Sequence, residues 1–263
     1  MASARSYLRL IGHTMAITYR QNMIDGFIIF TIIVQPLLVA LLGLWMLRDL
    51  GPDYAIYIVV GSGMSGLWSS VLFVSGNSIR SERRFGTLET LTGVPSPLVV
   101  VVFGKTLANV AQSLLSMVGT YTLVSVILGY PLTVALPSAF IVSIVLVVVA
   151  FIAFGLVIAS LFVLNPEVQQ FQNGIEFPVF VLSGFLFPIL MLPIWTRPVS
   201  YLLPTYWAAR AVHSAARGTA TLPQVAQSWA MLLVLSAVFF AISAGLFRAV
   251  IRRAKIEGTL DAQ

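Results

Sequence analysis

The chain has 263 residues, 59% of them hydrophobic and 9% charged, with 15 Lys and Arg against 9 Asp and Glu. A mean hydropathy of +0.97, with charge far below the roughly one quarter usual in soluble domains, excludes a water-soluble globule and makes lipid the main solvent. No cysteine is present, which excludes disulfides, thiolate metal sites and cysteine nucleophiles.

The basic excess lies between apolar stretches, so it reads as membrane topology rather than as a nucleic-acid footprint. In "SARSYLRLIGHTMAITYRQNMI" (3–24), a turn of about 100° per residue puts Arg5, Arg9, His13 and Arg20 on one stripe. Tyr7, Leu8, Ile11, Met15 and Tyr19 fall opposite. The pattern predicts a helix lying in the headgroup layer, its basic face toward lipid phosphates and water. The first apolar span begins near Gly26, and no small-residue cleavage site follows it before Arg48 and Asp49. It is therefore expected to stay in the mature protein.

A membrane-crossing helix needs roughly 20 apolar residues. Six segments qualify: 26–47, 55–79, 106–128, 138–164, 174–192 and 226–247. Their long continuous runs do not fit the short alternating strands of a membrane barrel. An N-terminus inside places Arg5, Arg9, Arg20, Arg80, Arg83, Arg84, Lys105, Arg248, Arg252, Arg253 and Lys255 on the cytoplasmic side. Only Arg48, Arg197, Arg210 and Arg217 then fall outside. This asymmetry predicts that both termini are cytoplasmic. With no internal repeat or linker, the chain reads as one membrane domain, 1–263, with segment 1–25 at the interface.

The second span holds "GSGMSG" (61–66), then Ser69, Ser70, Ser75 and Gly76. Small residues let helices approach closely in lipid. Two readings stand, close helix packing or a small-residue face along a substrate path. The connection that follows, 80–105, includes "SERRFGTLETLTGVPSP" (81–97). Thr87 can cap a short helix, Glu89 and Thr90 occupy its first turn, and Pro95 stops it. Such a helix suits insertion into a groove of another protein; an ordinary solvated loop is the alternative. "FGKT" (103–106) is not a phosphate-binding loop, because the motif requires glycine where Val99 stands. The chain is therefore not expected to hydrolyse ATP.

From 174 to 217 the sequence is apolar and aromatic yet punctuated by Pro178, Pro188, Pro193, Pro198 and Pro204. This predicts one span, then short helices in 193–225 that dip back into the outer leaflet, where protein or water must cover the irregular backbone. Trp195, Tyr201, Tyr206 and Trp207 fit the interface level as anchors, with gating an additional role. Glu176 stands at the cytoplasmic end of the fifth span, either as a headgroup-border residue or as an ionisable group within the membrane. Gln35 and Gln112, inside the first and third spans, are candidates for interhelix hydrogen bonds or for lining a path.

Together these motifs resemble the membrane subunit of a type-2 ATP-binding-cassette (ABC) exporter. The resemblance rests on Glu82, Arg83, Gly86, Thr87, Leu88, Glu89, Leu91 and Pro95 in the charged run, then on Gly104 and Lys105. It continues through Ser183, Gly184, Phe187, Pro188, Leu192, Pro193 and Trp195 to Pro204, Tyr206 and Arg210. Tyr206 stands one residue closer to Pro204 than the family pattern has it, and the 165–173 loop, "NPEVQQFQN", lacks basic residues.

The resemblance implies an all-α integral membrane fold: six transmembrane helices, an N-terminal interfacial helix, and re-entrant outer helices after the fifth span. It implies that the charged run is the coupling helix contacting two separate ATPase subunits, which carry the ATP and Mg; no cofactor or metal is expected in this chain. A second permease subunit is implied, as a homodimer or a heterodimer, in a bacterial or archaeal cell membrane. On this reading Gln35, Gln112, Glu176, Ser183 and Phe187 are candidates for the substrate path. Pro188, Pro193, Trp195, Pro204, Tyr206 and Arg210 would form the outer gate.

The sparse intramembrane charge favours a hydrophobic or amphipathic cargo, a drug-like compound or lipid, while the outer aromatics also suit a polysaccharide or glycolipid. Two other classes fit the sequence less well. An intramembrane enzyme needs convergent titratable groups, but His13 and His213 fall on opposite sides of the membrane. A scaffold that binds an ATPase without transporting has little use for the outer re-entrant segment.

Overall fold

The computed structural model describes residues 4–46, 52–75, 98–127, 129, 133–165, 167 and 171–257, and among them every regular element is helical. The first helix, α1 (Ala4–Asn22), forms where the sequence predicts an amphipathic helix. It ends because Asp25 starts a new one. The Asp25 carboxylate accepts from the Phe27 and Ile28 amides at 2.9 and 3.3 Å, satisfying two N–H groups at the head of α2 (Gly26–Met46). Within α2 a wide π turn, Phe30–Val34, precedes the regular helix from Gln35. Pro36 lacks the N–H that a regular helix would bond to the Ile32 carbonyl, and the wide turn around Ile32 absorbs that defect.

The second span, α3 (Pro52–Ser69), runs on as a π turn over Ser70–Ser75. It is the centre of the bundle. Ile58, Met64, Leu67, Trp68 and Val71 on it are essentially inaccessible, and α2, α4 (Leu98–Ile127) and α8 (Pro204–Arg217) pack around it. The small-residue run is used for close approach. A Cβ on Gly61 would lie 1.9 Å from the Phe185 carbonyl oxygen, and one on Gly66 would lie 2.4 Å from Pro36 Cγ. Close packing is thus what the structure assigns to this face.

The third span, α4, begins eight residues before the expected 106, and Lys105 within it is buried. The reason is α1, which packs along this end of α4 and covers it. A Cβ on Gly104 would sit 3.1 Å from Thr14 Cβ and 3.3 Å from the Ile11 carbonyl oxygen. The face of α1 turned to α4 includes Thr14, Thr18 and Asn22, while Leu8 and Tyr19 are exposed beside Arg9, His13 and Arg20. The Arg5 side chain lies outside the described residues.

α5 (Pro137–Leu164) and the last helix, α9 (Leu222–Glu257), pack together. The Trp229 indole N–H donates to Ser143 Oγ at 2.9 Å between them.

The expected span 174–192 is not one helix. α6 (Gln172–Ser183) has 12 residues, about 18 Å at 1.5 Å per residue, short of the roughly 30 Å of a hydrocarbon core. Gly184 stops it with a left-handed φ of 71°. Two 3₁₀ turns follow, Ile189–Met191 and Ile194–Thr196, each preceded by a proline. Then come α7 (Arg197–Leu202) and α8. Among the described residues, five helices are therefore long and apolar enough to cross a membrane: Gly26–Met46, Tyr54–Val74, Val100–Val126, Pro137–Phe162 and Leu222–Ala249.

α8 is buried along nearly its whole length, between α5, α9 and α3. Its last carbonyls, on Ala215 and Ala216, accept from the amides of Leu136 and Ala135 at 3.1 and 2.9 Å. The lead-in to α5 thereby supplies donors for the open C-terminal end of α8.

Candidate functional site

Three polar nodes join helices that are otherwise apolar. The first surrounds Glu176 on α6. Its Oε1 accepts from Ser69 Oγ of α3 at 2.5 Å and from the Gln35 amide of α2 at 3.2 Å. The Trp68 indole N–H donates to the Glu176 main-chain carbonyl at 3.2 Å, and the Gln172 amide donates to the Leu72 carbonyl at 2.9 Å. Glu176 is 7% exposed. It is enclosed by three helices and bonded to Gln35 at the middle of α2, rather than standing clear at the end of its own helix. Gln35 and Glu176 are 141 residues apart in sequence, so only the fold brings them together.

The second node fastens α1 to α4. The Asn22 amide donates to Asn109 Oδ1 at 2.8 Å and to Gln112 Oε1 at 2.5 Å, and the Gln112 amide reaches the Tyr19 carbonyl at 3.5 Å. Gln112 is thus an interhelix hydrogen-bonding residue, and the structure does not bring it into the Gln35–Glu176 group. Asn22 was not singled out in the sequence. Its place as the last residue of α1, just before the Asp25 cap, is the signal that could have marked it.

The third node holds the turn after α6. The Tyr57 hydroxyl donates to the Gly184 carbonyl at 2.9 Å. His213 Nε2 lies 3.0 Å from the Phe185 carbonyl, which can only accept, so Nε2 carries the proton. The His213 ring stacks on Tyr57 at 3.7 Å between centroids and 9° between planes. The Arg217 guanidinium lies over Tyr54 and Tyr57 at 5.7 and 5.6 Å, within cation–π range. Burial pushes His213 down from 6.5 to about 3, an effect the Phe185 hydrogen bond opposes and the Arg217 charge reinforces. Ser183 Oγ bonds Thr205 Oγ1 and donates to the Val179 carbonyl at 2.6 Å, tying the end of α6 to the start of α8.

The same segments account for the outer gate residues. Pro188 is half-buried and opens a 3₁₀ turn; Pro193 is exposed and opens the next, which carries Trp195, 77% exposed. Phe187 is half-buried and Ser183 buried. Pro204 and Tyr206 are buried in α8, and Arg210 lies over the Trp207 ring at 5.4 Å. Burial raises the Tyr206 hydroxyl above its usual range, with the Arg210 charge pulling against it. Tyr206 and Trp207 therefore turn into protein, clustering with Tyr201, whereas Trp195 keeps the exposed position of an anchor.

The arrangement is a helical membrane bundle braced by polar nodes. No group of three or more His, Asp or Glu placed to hold a metal occurs among its described residues. The sequence matches the ABC-2 type transporter family over residues 10–216. The chain belongs to that family. No curated protein matches the sequence. As an ABC-2 permease it is a multi-pass membrane protein and a transport component, not itself an ATPase. The matched region contains all three nodes apart from Arg217 and closes one residue before the end of α8, so α9 lies beyond it. The charged run carrying Glu82, Arg83, Gly86, Thr87, Leu88, Glu89, Leu91 and Pro95 falls inside the match but outside the described residues.

Proposed function

We propose that this ABC-2 permease is the membrane half of an exporter whose ATPase subunits are separate chains. Family membership over residues 10–216 carries the reading. Two permease subunits would pair, as a homodimer in the simplest arrangement, and two ATPase subunits would dock on the 80–105 connection. ATP and Mg would bind those subunits. Their closure would push the Glu82–Pro95 segment, which leads directly into α4, and the bundle would reorient around the cargo. The setting is a bacterial or archaeal cell membrane with both termini cytoplasmic.

α6 and the turns beyond it would complete a sixth crossing, with α7 and α8 re-entering from outside. The nearly complete burial of α8 supports that part, because non-spanning backbone at membrane depth requires cover by protein. A hydrophobic or amphipathic cargo, drug-like or lipid, fits the apolar bundle. The exposed Trp195 favours as second reading a polysaccharide or glycolipid, whose sugar rings stack on such surfaces.

The test is Glu89→Arg in the full chain co-expressed with its ATPase subunit. ATPase co-purification and export should both be lost while the permease still inserts in the membrane. Undiminished co-purification would overturn the docking role.

A further inference from the structure

Two helices turn to π geometry at one level, and Glu176, on a third helix that carries a proline, sits where they meet. The π turn of α2, Phe30–Val34, ends at Gln35, and the π turn of α3 begins at Ser70, directly after Ser69. α6 carries Pro178 within the helix, half a turn beyond Glu176. Gln35 and Ser69 are the two side chains that donate to Glu176. π turns are rare and gather at functional sites, and broken helices at membrane depth belong where they line a path or pack in protein.

The electrostatics point the same way. The donors to Glu176 are a hydroxyl and an amide, both neutral, and among the described residues no Lys or Arg forms an ion pair with it. Beside Ser69, the fully buried Ser70 Oγ has no partner. A buried carboxylate met only by neutral groups lacks a countercharge whenever it is ionised. Ionisable groups within membrane spans pair with an opposite charge or mark the route of one. Both hydrogen bonds fall on Oε1, which leaves Oε2 for a ligand. The wall beside it is apolar and aromatic, with Trp68 stacked on Phe154 at 5.4 Å.

We propose that Glu176, flanked by Gln35 and Ser69, is a binding site for a lipophilic cation, a positive head on an apolar body. The cation supplies the missing countercharge and the bundle receives the body. This deepens the export reading by naming a cargo class and rests on that reading for the direction of movement; the binding step can be measured without any ATPase.

Tetraphenylphosphonium and tetraphenylborate share one shape and differ in sign, so they serve as probes for the purified full chain in nanodiscs. The wild-type chain should prefer the cation, and Glu176→Gln should weaken cation binding by about tenfold, the scale of one charge-assisted contact. Binding of the anion should not fall. Glu176→Gln keeps an acceptor for Ser69, and an unchanged melting temperature would show that the fold is retained. Equal binding of the two ions by the wild-type chain overturns the proposal whether or not Glu176→Gln folds; so does full cation affinity in a folded Glu176→Gln. Neither result touches ATPase recruitment by Glu89, so the two readings fail separately.

Discussion

Replacing Gly61 by alanine tests a close backbone approach in the bundle. The new methyl would lie 1.9 Å from the Phe185 carbonyl oxygen and 2.7 Å from its carbon, where ordinary contact begins at 3.4 Å. Relief requires α3 and the turn after α6 to part by about 1.5 Å, a distance that overpacked cores resist at about 1–3 kcal/mol. The turn cannot swing freely, because Tyr57 holds the Gly184 carbonyl and His213 holds that of Phe185. Stretching those bonds beyond hydrogen-bonding distance forfeits about 1 kcal/mol each. Alanine returns about 1 kcal/mol through its better helix propensity. The net expectation is a loss of about 2–4 kcal/mol, read as a melting temperature several degrees lower for the purified protein in nanodiscs. Gly119→Ala is the control, since a Cβ there meets nothing within 4 Å. Equal melting of the two variants would refute the claim that this turn is pinned against α3.

His213 predicts a dependence on pH. Its folded-state value, about 3, lies below the 6.5 of the free side chain, so between those limits the unfolded chain binds the extra proton. Stability should be fully present above pH 6.5 and decline as pH falls toward 3, by at most about 1.4 kcal/mol per unit. His213→Gln should flatten that part of the melting profile, and an unaltered profile would count against the assignment. Asn22→Leu removes the amide that bridges Asn109 and Gln112 and should weaken the hold of α1 on α4 by about 1–3 kcal/mol. Trypsin should then cut faster at the exposed Arg20, whereas an unchanged rate would show that the node is dispensable.

Helix class and the positions of five crossings were legible in the sequence, because a continuous apolar run has few other ways to satisfy its backbone in lipid. The fifth expected span was not. Its apolar composition continues through 192, but Gly184 takes a left-handed conformation and Pro188 cannot extend the helix, so α6 stops at Ser183. α4 began early for a different reason, since composition does not show that α1 covers its charged end. The polar partners of Glu176 and Gln112 were equally hidden. Glu176 stands out in the sequence as an ionisable residue at the end of its span and Gln112 as a polar residue inside an apolar one, yet Ser69 and Asn22 lie 107 and 90 residues away from them. Tyr206 and Trp207 carry the composition of interfacial anchors, and only the packing of α8 shows that they face inward.

The spans differ in how much of each the fold encloses: 94% for the central one, Tyr54–Val74, against 28% for Gly26–Met46 and 22% for Leu222–Ala249. The rim is therefore open to acyl chains or to a second subunit, while the axle is open to almost nothing outside this chain. A thicker or stiffer bilayer acts on the rim first, and its influence reaches the middle only as tilt passed on by neighbours. The carboxylate is fastened to both kinds of helix, one hydrogen bond to the rim and one to the axle, and so lies where that tilt is received.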